Sequence, residues 1–286
     1  MNKLQKAYNI WRQDGLKQLG KKIHLYLLHR VINFYQQIQY YYDGGIVKLD
    51  VSGNHIQLKC PRNKYRYLGK YEGSFQSFNE YPVLQDIIRE SEPTDTFYDI
   101  GSNIGLYTCF VGNVSQEVVA FEPYEPNANF TSKNIQINDI DGRVYQKALS
   151  NTQGEVEMAL PSKRAGESRP AIKSNWNESY DTVTVDMVNG DDFVSTEMIP
   201  LPDVIKIDVE GAELKVLEGL ENTLQQACPI VYCETHPERL PDYEGSVQQI
   251  HDFFDRLGFE TETVHQRTNP KFEEQYYIKA VKNEFS

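Results

Sequence analysis

One short loop constrains this chain more than any other feature: Asp99-Ile100-Gly101-Ser102-Asn103-Ile104-Gly105, set between the β-rich run Thr96–Ile100 and a helical run from Gly105 to Gly112. A strand that ends in a glycine-bearing turn and feeds directly into a helix is the opening unit of a doubly wound α/β sheet, and such sheets bind ligands at the carboxyl ends of their strands. The downstream pattern agrees. Glu117–Phe121, Val144–Lys147, Val204–Ile207 and Ile230–Cys233 read as core strands. Pro126–Ile137, a run from Gly211 through Leu217, and Val247–Leu257 read as helices, the last closing at Gly258. Phe259–Val264 and Gln275–Val281 make a closing pair of strands. The expectation is a Rossmann-like α/β fold with a mostly parallel seven-stranded sheet covered by helices on both faces.

The spacing within the loop narrows the ligand. It is GxNxG and not GxGxxG, so it lacks the turn that receives a pyrophosphate at the helix start. A nicotinamide-dependent enzyme is therefore disfavoured. S-adenosylmethionine carries no phosphate and suits the shorter loop. Gly101 is expected to let backbone approach the ligand, Gly105 to let the helix pack closely, and Asp99 to accept, directly or through water, from the cationic methionine end. Seventeen residues after Gly105, Val118-Val119-Ala120-Phe121-Glu122-Pro123 is a strand ending in an acid. A carboxylate there can accept from ribose hydroxyls, which makes Glu122 the strongest single candidate. A third element, Ile205-Lys206-Ile207-Asp208-Val209-Glu210-Gly211-Ala212-Glu213, places Asp208 and Glu210 at a strand end beside the reacting centre. Glu213 is equally well read as an acid favoured at a helix start.

Together these three elements resemble the FkbM-type methyltransferase family, over roughly residues 71–238. The family has an aspartate-led GxNxG loop, a strand ending in Phe-Glu-Pro, and the run Ile-Lys-Ile-Asp-Val-Glu-Gly-Ala-Glu. Lys147-Ala148-Leu149-Ser150 also fits its turn after the third strand, where the backbone at Ala148 lies near the adenine. Ser102 stands where the family more often has alanine. The resemblance implies a methyltransferase dependent on S-adenosylmethionine, with Asp99, Gly101, Asn103, Gly105, Glu122, Ala148 and Asp208 on the cofactor. It implies O-methylation of a sugar, glycan or related small molecule as acceptor. A hydroxyl must lose its proton at or near the transition state. The candidates for that base are Asp208, Glu210 and His236, the last in Tyr232-Cys233-Glu234-Thr235-His236-Pro237 with an ordinary pKa suited to the role. No metal is expected, though Asp208, Glu210 and Glu234 together could hold a divalent ion. A non-catalytic chain keeping the fold is the competing reading, and the intact motif residues speak against it.

Outside the core, Ile46–Asp50 and His55–Lys59 alternate around Val51-Ser52-Gly53-Asn54 as a β-hairpin. Tyr65–Glu80 shows no clear period. Glu72 and Glu80, with Tyr71, Phe75 and Phe78, could close over the cofactor. The expected layout is an extension at 1–45, a hairpin and lead-in at 46–92, and the cofactor-binding domain at 93–286. Residues 1–42 hold seven Lys/Arg against Asp14 alone, a net +6 within a chain of −12, so residues 43–286 carry −18. That acidic body disfavours nucleic acid as a partner. In the extension, Leu16, Leu19, Ile23, Leu27, Val31, Phe34 and Ile38 recur at helical steps. The helix either packs on the body or on a second copy in a homodimer, or lies on an anionic membrane surface. No apolar run of about 18 residues occurs and no signal-like N-terminus is evident. The expectation is thus a cytoplasmic protein, peripheral to the membrane under the second reading.

Overall fold

The computed structural model describes residues 37–69, 75–160, 171–172, 181–267 and 275–282, with positions 21, 24, 25, 27, 28, 30–32, 34 and 35. The chain forms two units, Met1–Gly45 and Ile46–Ser286. In the first, the described residues from 21 to 42 are helical and Leu27, Val31, Phe34 and Ile38 are exposed. Leu16, Leu19, Ile23 and most of the basic residues of the expected stripe lie outside the described residues, as do Tyr71 and Glu72. Among the described residues no helix is long and apolar enough to cross a membrane.

The second unit is built on a seven-stranded sheet. Its strands are β3 (Thr96–Ile100), β4 (Glu117–Phe121), β5 (Gly142–Tyr145), β10 (Val204–Ile207), β11 (Ile230–Thr235), β12 (Phe259–Arg267) and β13 (Gln275–Lys282). The order is β12-β13-β11-β10-β3-β4-β5. The five strands from β11 to β5 are parallel, and β13 and β12 close the edge antiparallel. This is the expected architecture. The chain runs outward from β3 in both directions, so the switch point falls between β3 and β10, where an α/β sheet opens its ligand crevice.

Alternation along the strands sorts the two faces. Tyr98, Ile100, Ile205 and Ile207 pack against the helices Glu213–Gly219, Glu221–Ala227 and Val247–Arg256 through Leu217, Leu224 and Phe254. Phe97, Val204 and Tyr232 face the other layer, made by the helices Tyr81–Glu90, Leu106–Gly112 and Glu125–Ile137 and by the hairpin. The hairpin joins β1 (Ile46–Val51) to β2 (Asn54–Lys59) through Ser52-Gly53, both at positive φ, as a two-residue turn of matching twist requires. Its outer edge is covered by side-chain amides. Asn134 exchanges two hydrogen bonds with the Lys59 backbone (2.7 and 2.9 Å), and Asn138 does the same with Gln57 (2.8 Å each). Two asparagines four apart on one helix thus continue the ladder.

Val156–Leu160 and Thr182–Val185 read in the sequence as short strands around a polar stretch, and each is part of a longer strand; Ala148–Ser150, read as a turn, and Ala171–Ile172 are strands as well. β6 (Ala148–Ser150), β7 (Gly154–Leu160), β8 (Ala171–Ile172) and β9 (Asp181–Asn189) form a separate sheet in the order β6-β9-β7-β8. Three short helices, Arg62–Leu68, Gly190–Thr196 and Glu221–Ala227, are additions to the expected layout.

Candidate active site

The loop after β3 is locked to the loop after β10. Gly101 has φ +81°, and a Cβ there would stand 1.9 Å from the carbonyl oxygen of Asp208. The missing side chain therefore admits the Asp208 backbone, and Gly101 also stands on the walls of the cavities described below. Gly105 (φ +83°) begins the helix Leu106–Gly112, and a Cβ there would meet Thr131 Cγ2 at 3.0 Å. That glycine does serve close packing, against the helix Glu125–Ile137. Having no side chain, Gly105 cannot cap its helix. Asp99 does so from the strand below, accepting from Thr108 N (3.0 Å) and Thr108 Oγ1 (2.5 Å).

Asp99 itself departs from the expected role. Its carboxylate is fully buried on the hairpin face of the sheet, beside Lys206 Nζ at 3.6 Å, and lines neither cavity described below. It supports the loop from beneath, through Thr108 and Lys206. Burial raises its pKa, against the pull of Lys206 and the Thr108 hydrogen bonds. Lys206 is the residue that sequence reasoning passed over. It is in register with Asp99 across the β3–β10 pair, is buried, and holds Asp208 Oδ2 at 3.3 Å.

Two cavities open over the carboxyl ends of the strands. Gly101, Asn103, Asp208 and Glu210 stand on the wall of both. In the first cavity, Phe121, Leu149, Met158, Met187 and Val209 form an apolar slot, with Ala148 beside it. Glu122 lies at the end of β4 on the same wall. Its Oε2 accepts from Asn103 N (2.8 Å) and its Oε1 from Tyr124 N (2.9 Å), so the carboxylate is fixed between the two loops. Burial raises its pKa to about 7, opposed by those backbone donors. Asn103 adopts left-handed backbone (φ +53°), and its Oδ1 is buried with no hydrogen-bond partner among the described residues. A buried acceptor of this kind calls for a donor from a ligand. An apolar slot, a carboxylate at the second strand end and an orphan acceptor between them fit the adenine, ribose and ammonium of S-adenosylmethionine.

His236 is not available as a base. It is buried, with Nδ1 2.7 Å from Glu213 Oε1 and Nε2 3.4 Å from Glu210 Oε2 and 3.9 Å from Asp208 Oδ1. Burial alone would lower its pKa, but the Glu213 hydrogen bond and the charges of Glu213, Glu210 and Glu234 raise it to about 10. The imidazole is therefore charged at neutral pH, and it lines neither cavity. Glu213 is likewise more than a helix-start acid: it is fully buried and also accepts from Gly211 N at 2.8 Å. Glu210, in left-handed backbone at φ +58°, accepts from Arg239 Nη1. Among the described residues, Asp208, Glu234 and His236 offer ligand atoms within 4.8 Å of one another. The expected metal alternative named Glu210 in place of His236. Lys206 already supplies positive charge beside Asp208.

The second cavity adds Glu234, Glu80, Tyr107 and Phe78 to the shared wall. Glu80 therefore faces this cavity and not the one fitted to the cofactor. Phe75 is buried, stacked on Phe78 at 4.7 Å in the hairpin-side core.

Comparison with known proteins places these motifs in a family. Residues 99–261 match the model described as the methyltransferase FkbM domain. Hexuronic acid methyltransferase AglP of Haloferax volcanii is 30% identical over 146 residues, which span 51% of this chain and 58% of that protein. The 31-O-demethyl-FK506 methyltransferase FkbM of Streptomyces tacrolimicus is 27% identical over 212 residues, 64% of this chain and 78% of that protein. A crystal structure of a methyltransferase FkbM from Methylobacillus flagellatus superposes with a TM-score of 0.47 at 13% identity, covering 76% of this chain and 54% of that one.

Proposed function

This chain belongs to the FkbM methyltransferase family, and on that premise we propose that it is an S-adenosylmethionine-dependent O-methyltransferase acting on a hydroxyl of a sugar or glycan. The observation that carries the reading is the meeting of two cavities along one wall, at Gly101, Asn103, Asp208 and Glu210. A donor in one and an acceptor in the other would react at that seam.

In this reading the first cavity holds the cofactor. The slot of Leu149, Met158 and Met187 takes the adenine, with the Ala148 backbone at its edge. Glu122 accepts from the ribose, and Asn103 Oδ1 accepts from the ammonium. Bound there, S-adenosylmethionine supplies an activated methyl group for in-line displacement by the acceptor oxygen. The chain's own contribution is alignment, which in such reactions contributes about 7–11 kcal/mol. Asp208 stands on both cavity walls and is the group proposed to take the hydroxyl proton. Lys206 donates to its Oδ2 at 3.3 Å, and the charge of His236 stands 3.9 Å from its Oδ1. Glu210 is less free to do so, since Arg239 and His236 both engage it.

The test is to incubate the full chain with methyl-deuterated S-adenosylmethionine and glycans from its own source, then look by mass spectrometry for the labelled methyl. Label on a hydroxyl oxygen supports the reading. Label on a carboxylate or a nitrogen only, or cofactor turnover with no labelled glycan, overturns it.

A further inference from the structure

The second cavity is walled by more acid than base. Glu80, Asp208, Glu210 and Glu234 face it, against Lys64 and Lys206. Lys206 is committed to Asp99 and Asp208 and stands 5.1 Å from the centre of the Tyr107 ring. Lys64 has its ammonium 6.0 Å from the centre of the Tyr67 ring. The two glutamates beyond the seam are each fixed by a tyrosine: Tyr107 OH donates to Glu80 Oε2 (3.2 Å) and Tyr277 OH to Glu234 Oε2 (2.8 Å). Burial, with the charges of Asp208 and Glu80, pushes the Glu234 pKa well above the usual carboxylate range, which favours its neutral form and leaves Glu80 as the charged acid beyond the seam.

We infer that this cavity selects a neutral sugar over a carboxylate-bearing one, with Glu80 as the selecting residue. A neutral pyranose brings several hydroxyl donors to fixed carboxylates, which form charge-assisted hydrogen bonds with them. Its apolar ring face meets Tyr67, Phe78 and Tyr107. A uronic acid brings a further negative charge to the same acids, and discrimination of this kind comes from repulsion as much as from attraction. Glu80, Phe78 and Tyr67 precede residue 99, where the family match begins, and Gln275 follows its end at 261.

The inference rests on the reading that the second cavity is the acceptor site. It is tested by saturation-transfer NMR on the full chain with S-adenosylhomocysteine present. The probes are matched methyl hexosides and methyl hexuronides of the gluco, galacto and manno series. At least one neutral member should bind, its uronide roughly 100-fold or more weaker, and Glu80→Gln, with an unchanged melting temperature, should narrow that ratio at least about tenfold. Equal or tighter uronide binding overturns the inference, as does a Glu80→Gln ratio that does not move, or binding of no neutral sugar. Failure of S-adenosylhomocysteine itself to bind would instead overturn the proposed function.

Discussion

Nδ1 of His236 stands 2.7 Å from Oε1 of Glu213, and both side chains are sealed from solvent. The pair ties the end of β11 to the helix that follows β10, and so holds the seam between the cavities. His236 titrates at about 10 in the folded chain against an ordinary 6.5. A raised histidine pKa gives stability that is complete below about pH 6.5, fades above it, and is gone past about pH 10. His236→Gln leaves Glu213 buried without its partner charge and should cost about 3–5 kcal/mol near pH 6.5. Urea midpoints at pH 6.5, 8 and 10 should show the gap between the two proteins closing as pH rises. A constant gap would mean that the histidine is not charged there.

Gly101→Ala tests the contact between the two loops. The added methyl would meet the Asp208 carbonyl at 1.9 Å in a left-handed backbone region. Overpacking of that kind costs about 1–3 kcal/mol, and here it also displaces Asp208. Thermal melting should fall and methyl transfer should fall with it. Gly105→Ala, also at positive φ, meets Thr131 Cγ2 at 3.0 Å and its Cα at 3.2 Å, a milder clash than at Gly101, and should lower transfer less.

Asp208→Asn keeps the size of the side chain and removes the proton acceptor. Transfer to a hydroxyl should drop about 10²–10⁴-fold in kcat, while cofactor affinity changes little. A variant within about twofold of the parent enzyme (far below that range) would take Asp208 out of the proton-transfer role.

These experiments separate what the sequence displayed from what only the fold could show. Strand–helix alternation and the GxNxG loop were legible because apolar periods and glycine spacing are local signals. The roles of Asp99 and His236 were not, because each depends on partners distant in sequence: Thr108 and Lys206 for one, Glu213 and Glu210 for the other. One signal was within reach. A lysine inside the apolar strand Val204–Ile207, pairing with a strand that itself carries an inward aspartate, predicts a buried ion pair once the two are aligned. The second sheet was not legible because it pairs segments far apart in sequence, such as Ala148 with Met187, and the acceptor wall because it lacks any period.

The N-terminal unit offers a separate outcome. We propose that residues 1–42 lie on anionic lipid, since their sequence carries +6 and, among the described residues, Leu27, Val31 and Phe34 are helical and exposed. The full chain should sediment with phosphatidylglycerol-containing vesicles, less so in high salt, and deletion of residues 1–42 should abolish this. Absence of binding by the full chain, with a dimer at micromolar concentration, would assign the helix to a second copy instead.

The central claim is that the first cavity is built for S-adenosylmethionine, with Glu122 on its ribose. Isothermal titration with S-adenosylhomocysteine measures this most directly. One site per chain is expected, with affinity rising from pH 6 to pH 8 as Glu122, titrating at about 7, becomes a carboxylate that can accept the ribose hydroxyls. Glu122→Ala should lose at least about tenfold in affinity, in line with about 1.5–3 kcal/mol for a hydrogen bond to a charged group, and should lose the pH dependence. No binding by the parent chain, or undiminished binding by Glu122→Ala, would contradict the account.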